Sequence, residues 1–373
     1  MMNVPFFNYG FVYGQYADEF KKILLDVSKR GSFIMQNELK FFEKNLSNYL
    51  ESKFALGVGN CTDGLLLSIK AAGIKPGDEV IFSSHTFVAT ASAIYHAGAI
   101  PVPVECGPDH LISVQSIREN ITSKTRAIIP TQLNGHVCDM DEIIKLCNEN
   151  NLILIEDAAQ SIGAKYKGKF AGNFGIASSF SFYPAKVIGC FGDGGAVITN
   201  DENIYEKIFL TRDHGREKIG NVVTWGMNSR LDSMNAAILD FKLKMYDKDV
   251  KRRRQIASMY QKGLADVNEL VLPRHPDYDS NKFEIYQNYE LEVANSKDRT
   301  PLINHLKSHG IGTILQWGGK AVHQFKGLGF KISLPFTEDI MNRSFLIPMN
   351  TSLDDNDLSY VIDKIRNFFG YGS

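Results

Sequence analysis

The chain is poor in cysteine, and the five it has are scattered. Cys61, Cys106, Cys138, Cys147 and Cys190 are an odd number with no C-x-x-C pair, which argues against a disulfide framework or a zinc knuckle. No H-E-x-x-H occurs among the nine histidines, and the close pair His136/Cys138 reads as loop residues rather than ligands, so no metal is expected. An excess of one charge is also missing. With 41 basic and 42 acidic side chains the formal charge is −1; no overall field draws the chain to nucleic acid or an anionic membrane, and any anion must be held by local donors. No apolar run approaches the ~18 residues of a membrane span. Met1 to Tyr13 is aromatic and lacks the basic and apolar regions of a secretion signal, so the expected compartment is cytoplasmic. The run Lys251-Arg252-Arg253-Arg254 lies beside Asp247 and Asp249 without interleaved aromatics, and reads as a solvated or subunit-facing helix.

What is present is an ordinary globular composition, 44% apolar and 22% charged over 373 residues, long enough for two lobes of about 100–200 residues each. From about residue 55 to 200, short apolar runs alternate with helix-like segments. This is the pattern of a mainly parallel sheet covered by helices on both faces. Candidate strands are Glu79–Phe82, Pro101–Val104, Arg126–Pro130, Leu152–Ile155, Ser178–Phe182 and Gly195–Thr199. Leu65, Ile69 and Ala72 keep helical spacing, as do Ile143, Leu146 and Cys147. Asn235 to about Leu264 is rich in helix formers and predicts one long helix leaving this α/β core. Beyond it Phe283–Val293 reads as a strand, and Arg299–His309 and Asp354–Phe369 as helices. The expected division is a large α/β domain over 1–245, with an N-terminal arm over 1–30, and a smaller α+β domain over 246–373.

Four features carry chemistry. Lys186, in Ser181-Phe-Tyr-Pro-Ala-Lys186, follows a strand and precedes a glycine-rich loop. Poor hydration there lowers an amine's pKa toward the nucleophilic neutral form that can make an imine. Asp157 follows an apolar strand and so stands at the carboxyl edge of the sheet, where open α/β sheets bind ligands; taken alone it reads equally as a helix cap. Gly57-Val-Gly-Asn-Cys-Thr-Asp63 leads into a helix whose unpaired N–H groups make a phosphate cradle. It matches neither G-x-G-x-x-G nor G-x-x-x-x-G-K-[ST], which speaks against a dinucleotide or a nucleoside triphosphate. Phe87, after another strand, can lie flat on an aromatic cofactor, and both it and His85 are equally explicable as core.

With these residues in view, the sequence resembles the DegT/DnrJ/EryC1/StrS family of sugar aminotransferases over nearly its whole length. The segments that carry the likeness include VGNCTDGLLLSIKAAG, IEDAAQSIGAKYKG, SFSFYPAKVIGCFGDGGAVITN, RDHGR and MNSRLDSMNAAIL. The resemblance implies fold type I, the aspartate-aminotransferase-like architecture with a seven-stranded-type sheet, and pyridoxal 5′-phosphate (PLP) as cofactor, passing through its pyridoxamine form. Residue by residue it implies that Lys186 forms the imine with the cofactor, that Asp157 pairs with the pyridine nitrogen and that Gln160 sits beside the ring hydroxyl. Phe87 would stack on the ring, and Thr62, Asp63 and Ser181 would hold the phosphate. Asn228 resembles an asparagine that reaches the neighbouring subunit's phosphate, which implies a homodimer with shared sites. Related sugar dehydratases carry histidine in place of the lysine.

Two departures stand out. Cys61 occupies a place where the family often has glycine. Leu315-Gln-Trp-Gly-Gly-Lys-Ala-Val-His-Gln-Phe325 replaces a common YPxPxHxQ, a form that implies dTDP-3-keto-6-deoxygalactose as acceptor and glutamate as donor, in bacterial surface-glycan synthesis. Arg216, Arg230, Lys320 and His323 are candidate donors to the nucleotide pyrophosphate, and Trp317 is a candidate surface for sugar or base. Competing expectations are amination of the corresponding keto-glucose or at C4, dehydration, or a regulatory protein that binds PLP without turnover. A dehydrogenase is disfavoured by the missing glycine fingerprint.

Overall fold

The computed structural model describes residues 2–372. Seven strands form the central sheet: β1 (Phe54–Val58), β2 (Glu79–Ser83), β3 (Ile100–Val104), β4 (Thr125–Ile129), β5 (Ile153–Asp157), β6 (Ala177–Ser181) and β7 (Gly195–Thr199). Their order is β1-β7-β6-β5-β4-β2-β3. From β6 to β3 neighbouring strands are parallel, whereas β7 runs antiparallel to both β1 and β6. Helices cover both faces, so strand residues such as Val80, Ile81, Phe82, Ile128 and Ile155 are fully buried. Double coverage is why these strands read as unbroken apolar runs. The α/β class and the sheet are as expected, and all six anticipated strands form within two residues of the expected ends.

The seventh, β1, takes in Gly57 and Val58, which the sequence pattern places in a glycine turn. Gly57 belongs to the strand, opposite Ala196 of β7, and is glycine because a Cβ there would come within 2.6 Å of Leu39 Cδ1 and 2.9 Å of Leu231 Cβ. Its hydrogen atom marks close packing by two elements, not a turn.

The long helix expected from Asn235 to Leu264 is two, Ser233–Leu243 and Tyr246–Leu264. At the break, tighter bonds from Lys244 and Met245 N–H to Phe241 and Lys242 carbonyls turn the chain. The buried Tyr246 can then donate its hydroxyl to the Ile162 carbonyl at 2.6 Å. Tyr246 thus packs with the sheet core, while Ile256, Tyr260 and Leu264 join a second cluster around Leu291, Phe345 and Ile365. Each such buried side chain contributes roughly 1.5–3 kcal/mol.

That second cluster lies on a three-stranded antiparallel sheet of β8 (Leu270–Val271), β9 (Tyr289–Val293) and β10 (Ser344–Ile347), with β9 central. The strand expected over Phe283–Val293 is interrupted. Lys282–Phe283 pairs with Lys165–Tyr166 instead, and the chain crosses toward β9 through Tyr286, whose φ is 49°. Arg253 holds this crossing. Its guanidinium donates to the carbonyls of Tyr286, Gln287 and Met349 at 2.9, 3.0 and 2.8 Å, and the residue is buried. The basic run is therefore an internal tie at Arg253 rather than a solvated face, because the Tyr286 and Gln287 carbonyls left bare by the broken strand, and that of Met349 after β10, need a donor. The remaining helices, Ser296–Ser308 and Asp355–Phe368, lie close to where they were expected. Among the described residues no helix is long and apolar enough to cross a membrane.

Candidate active site

The carboxyl ends of β2, β4, β5 and β6 open on one cleft of about 390 Å³, closed on its far side by residues leading into β9 and by Gln316 and Trp317. Asp157 is the last residue of β5 and is 4% exposed. The Thr90 hydroxyl donates to its Oδ2 at 2.6 Å, and the Ala159 N–H to its Oδ1 at 3.2 Å. Burial nonetheless raises its pKa above the ordinary carboxyl value, against the pull of these donors and of the Lys186 charge. Thr86 links Thr90 and Thr131 at 3.0 and 2.9 Å, so three hydroxyls from three segments fix the carboxylate's surroundings.

Lys186 stands in a turn closed by its own N–H on the Tyr183 carbonyl at 2.8 Å. Burial lowers its pKa, although Cys61 and Asp157 pull the other way. The turn is clamped by a residue that sequence reasoning missed. Gln287 accepts from the Val187 N–H and donates to the Ala185 carbonyl, both at 2.9 Å. The two bonds bracket Lys186. A Gln-Asn pair inside an apolar stretch read as strand was the available signal.

Across the cleft the helix Cys61–Ala71 begins, with Asn60 as its cap accepting the Asp63 N–H at 2.8 Å. That cap occupies the Asp63 amide, while Cys61 and Thr62 lie at the first two helical positions, where N–H groups have no intrahelical partner. Both line the cleft; Asp63 does not. Gly195 permits the approach, since a Cβ there would lie 2.6 Å from the Asn60 carbonyl carbon and 2.8 Å from the Cys61 nitrogen. Cys61 Sγ is 4.0 Å from Asp157 Oδ1, and burial pushes its thiol well above the ordinary range, which leaves it an inert packing group. Ser181 borders the same space.

Phe87 is 54% exposed and presents its ring to the cleft, 5.4 Å from the Trp317 ring centroid. His85, two residues before it, is wholly buried. Gln160 accepts the Asn134 N–H at 2.7 Å with its Oε1, so its amide nitrogen is the end left for the cleft.

Lys186, Asp157, Gln160, Phe87, Thr62, Ser181 and Trp317 are thus brought to one cleft, and several other candidates are not. Arg216 and Arg230 both pair with Asp213, at 3.3 and 2.9 Å. Lys320 is exposed. His323 is buried with Nδ1 on Ser84 Oγ at 2.7 Å and Nε2 on Glu338 at 3.0 Å, leaving no nitrogen for a pyrophosphate. Asn228 is exposed, bridged to Asp213, beside a loop whose Trp225 is 95% exposed.

This donor set fits a phosphorylated pyridine aldehyde. Unpaired helix N–H groups and Ser181 suit a phosphate, the Phe87 ring suits an aromatic face, and the buried Asp157 suits a protonated ring nitrogen. Lys186, poorly hydrated, suits a carbonyl carbon.

Comparison with known proteins agrees in direction. The DegT/DnrJ/EryC1/StrS aminotransferase family matches residues 15–366. The chain is 36% identical over 374 residues to a pleiotropic regulatory protein of Geobacillus stearothermophilus, covering 99% of each. It is 34% identical over 376 residues to the dTDP-3-amino-3,6-dideoxy-alpha-D-galactopyranose transaminase of Aneurinibacillus thermoaerophilus, covering 99% of this chain and 100% of that one. The X-ray structure of DesV from S. venezuelae in complex with a ketimine intermediate aligns with a TM-score of 0.94 at 34% identity, covering 99% of both chains.

Proposed function

The chain belongs to the DegT/DnrJ/EryC1/StrS aminotransferase family, a PLP-dependent family of nucleotide-sugar enzymes, and from that premise we propose its reaction. It moves the amino group of L-glutamate to C3 of dTDP-3-keto-6-deoxy-D-galactose, giving dTDP-3-amino-3,6-dideoxy-D-galactose. The observation that carries the catalytic half of this reading is the meeting of Lys186 and Asp157, from two strand ends, in one cleft. The substrate half leans on the 34% identity to a transaminase named for that product.

PLP supplies a carbonyl that condenses with amines and a ring that takes up electrons when the neighbouring C–H bond breaks. Asp157 would hold a proton on the pyridine nitrogen, and that ion pair would offset the burial that otherwise disfavours the carboxylate. With the cofactor bound, Lys186 Nζ would be the group that takes up and gives back the proton that moves. A depressed pKa keeps enough of it as free base to do so. Cys61 and Thr62 N–H groups with the Ser181 hydroxyl bind the phosphate. The Gln160 amide nitrogen donates to the ring oxygen, and Phe87 covers the ring face.

A homodimer completes the site. Ile219, Val222, Val223 and Trp225 are 80%, 68%, 57% and 95% exposed in one loop, an apolar patch that a second copy would cover. Asn228, at the end of that loop, then serves the partner's phosphate. Light scattering at micromolar concentration should give twice the chain mass. The substrate is tested by offering a panel of dTDP-keto sugars with glutamate and identifying the product by NMR. Amination at C3 of the galactose epimer is expected; amination at C4, or of the glucose epimer alone, would overturn the assignment.

A further inference from the structure

We propose that Asn288 reads a hydroxyl of the substrate hexose, presenting its carbonyl oxygen to the cleft, and that the buried Glu290 carboxylate fixes it in that orientation. The proposal rests on the nucleotide-sugar reading above and adds a residue that reads the sugar.

A carboxylate can only accept hydrogen bonds, and Glu290, on β9, is 4% exposed. Its Oε2 receives Asn134 Nδ2 at 2.7 Å and His110 Nδ1 at 2.8 Å. Asn134 is thereby forced to turn its amide nitrogen toward Glu290 and its oxygen away. That oxygen accepts Asn288 Nδ2 at 2.8 Å and Gln316 Nε2 at 2.9 Å. Asn288 can meet it only with nitrogen, so the Asn288 oxygen is left over. It has no protein donor among the described residues, yet it is not among the sealed, unpartnered polar atoms, and Asn288 lines the cleft. It is an acceptor open to the cleft.

The neighbouring amides narrow the role. Gln316 spends its other end on Asn134 as well, at 3.2 Å, and Gln287 spends both ends on the backbone around Lys186. Gln160 has a free nitrogen, a donor, on the sheet-edge wall with Asp157. Asn288 lines the cleft with Gln316, Trp317 and Ile314, residues of the second lobe rather than of the sheet edge, so its oxygen is offered to what the cleft takes up. A ketone oxygen or a pyrophosphate has no proton to give it; a sugar hydroxyl has.

The far end of the relay is anchored in both lobes. His85, His110 and Glu290 bring their ligand atoms within 4.8 Å of one another, a set that spacing in the sequence does not reveal. Both His110 nitrogens are already taken, by Glu290 and by Glu292, each at 2.8 Å. The cluster therefore works as a brace that keeps Glu290 Oε2 pointed at Asn134, with Oε1 turned to His85 Nε2 at 3.3 Å.

The test is calorimetry on the holoenzyme with dTDP-6-deoxy-D-galactose, which carries the hydroxyls but neither ketone nor amine and so cannot react, beside bare dTDP. Asn288→Leu should weaken the sugar nucleotide about 10-fold, equivalent to about 1.4 kcal/mol, and dTDP by less than about twofold. Glu290→Gln frees the polarity of the relay and should shift binding in the same direction, with the double variant no weaker than Asn288→Leu alone. If Glu290→Gln does not fold, Asn288→Leu decides by itself. Unchanged affinity for the sugar nucleotide, or an equal loss for dTDP, overturns the proposal. Wild-type protein that binds neither ligand overturns the functional reading, and the relay with it.

Discussion

Replacing Gln287 by alanine isolates what the clamp around Lys186 does. The variant loses one bond to the Val187 N–H and one to the Ala185 carbonyl, both 2.9 Å long. At a net ~0.5–1.5 kcal/mol each, the turn that carries the lysine is weakened by about 1–3 kcal/mol. If that free energy is withdrawn from the geometry of proton transfer at Nζ, kcat falls about 5- to 150-fold. A looser turn also admits water. Burial is what depresses the Lys186 pKa, so hydration moves it upward, and activity that needs the free amine retreats to higher pH on its acidic side. Gln287→Glu keeps the acceptor for Val187 but cannot donate to Ala185, and should fall between the two. The assay is kcat against pH for all three proteins. A Gln287→Ala enzyme with wild-type kcat and an unmoved acidic limb would refute the idea that the clamp positions the lysine.

Asp157→Asn should retain bound cofactor while kcat drops about 100-fold or more, because a neutral amide lacks the negative charge that keeps the ring nitrogen protonated; a wild-type rate constant removes Asp157 from its role. His110 is held protonated. Burial opposes its charge, but the Glu290 and Glu292 carboxylates prevail and raise its pKa from 6.5 to about 10. The stability it contributes is therefore fully present below pH 6.5 and is lost as pH rises through about 10. His110→Gln should flatten the decline of Tm over that window, and a decline identical to wild type counts against the brace. His323→Ala should cost about 1–3 kcal/mol in urea denaturation, through loss of the two imidazole bonds to Ser84 Oγ and Glu338 Oε1, with dTDP affinity intact; a tenfold loss of dTDP binding would restore it as a pyrophosphate ligand.

Elements carried by a single local signal were the legible part of this fold. Strands covered on both faces show as apolar runs, and Leu152–Ile155 or Gly195–Thr199 needed no tertiary information. Gly57 misled because a glycine excluded by Leu39 and Leu231 has the same letter as a glycine in a turn. The helix break at Lys244 was invisible, since nothing local marks where Tyr246 must swing inward to reach Ile162. Within the site, the strand-end residues Asp157, Phe87 and Lys186 could be found because a strand end has a fixed place in such a sheet. Asn134, Gln287, Asn288 and Glu290 could not, because what matters is which end of each amide faces which neighbour. His323 failed in the opposite sense: an imidazole suggests a ligand, and here Ser84 and Glu338 already use it; Arg253, expected on a solvated or subunit-facing helix, is instead spent on backbone carbonyls.

The covalent competence of Lys186 is best tested by reducing the PLP-loaded protein with borohydride and mapping the pyridoxyl label by peptide mass. The label is predicted on the Lys186 ε-nitrogen and should be absent from Lys186→Ala. A label on another lysine, or none, would contradict the account.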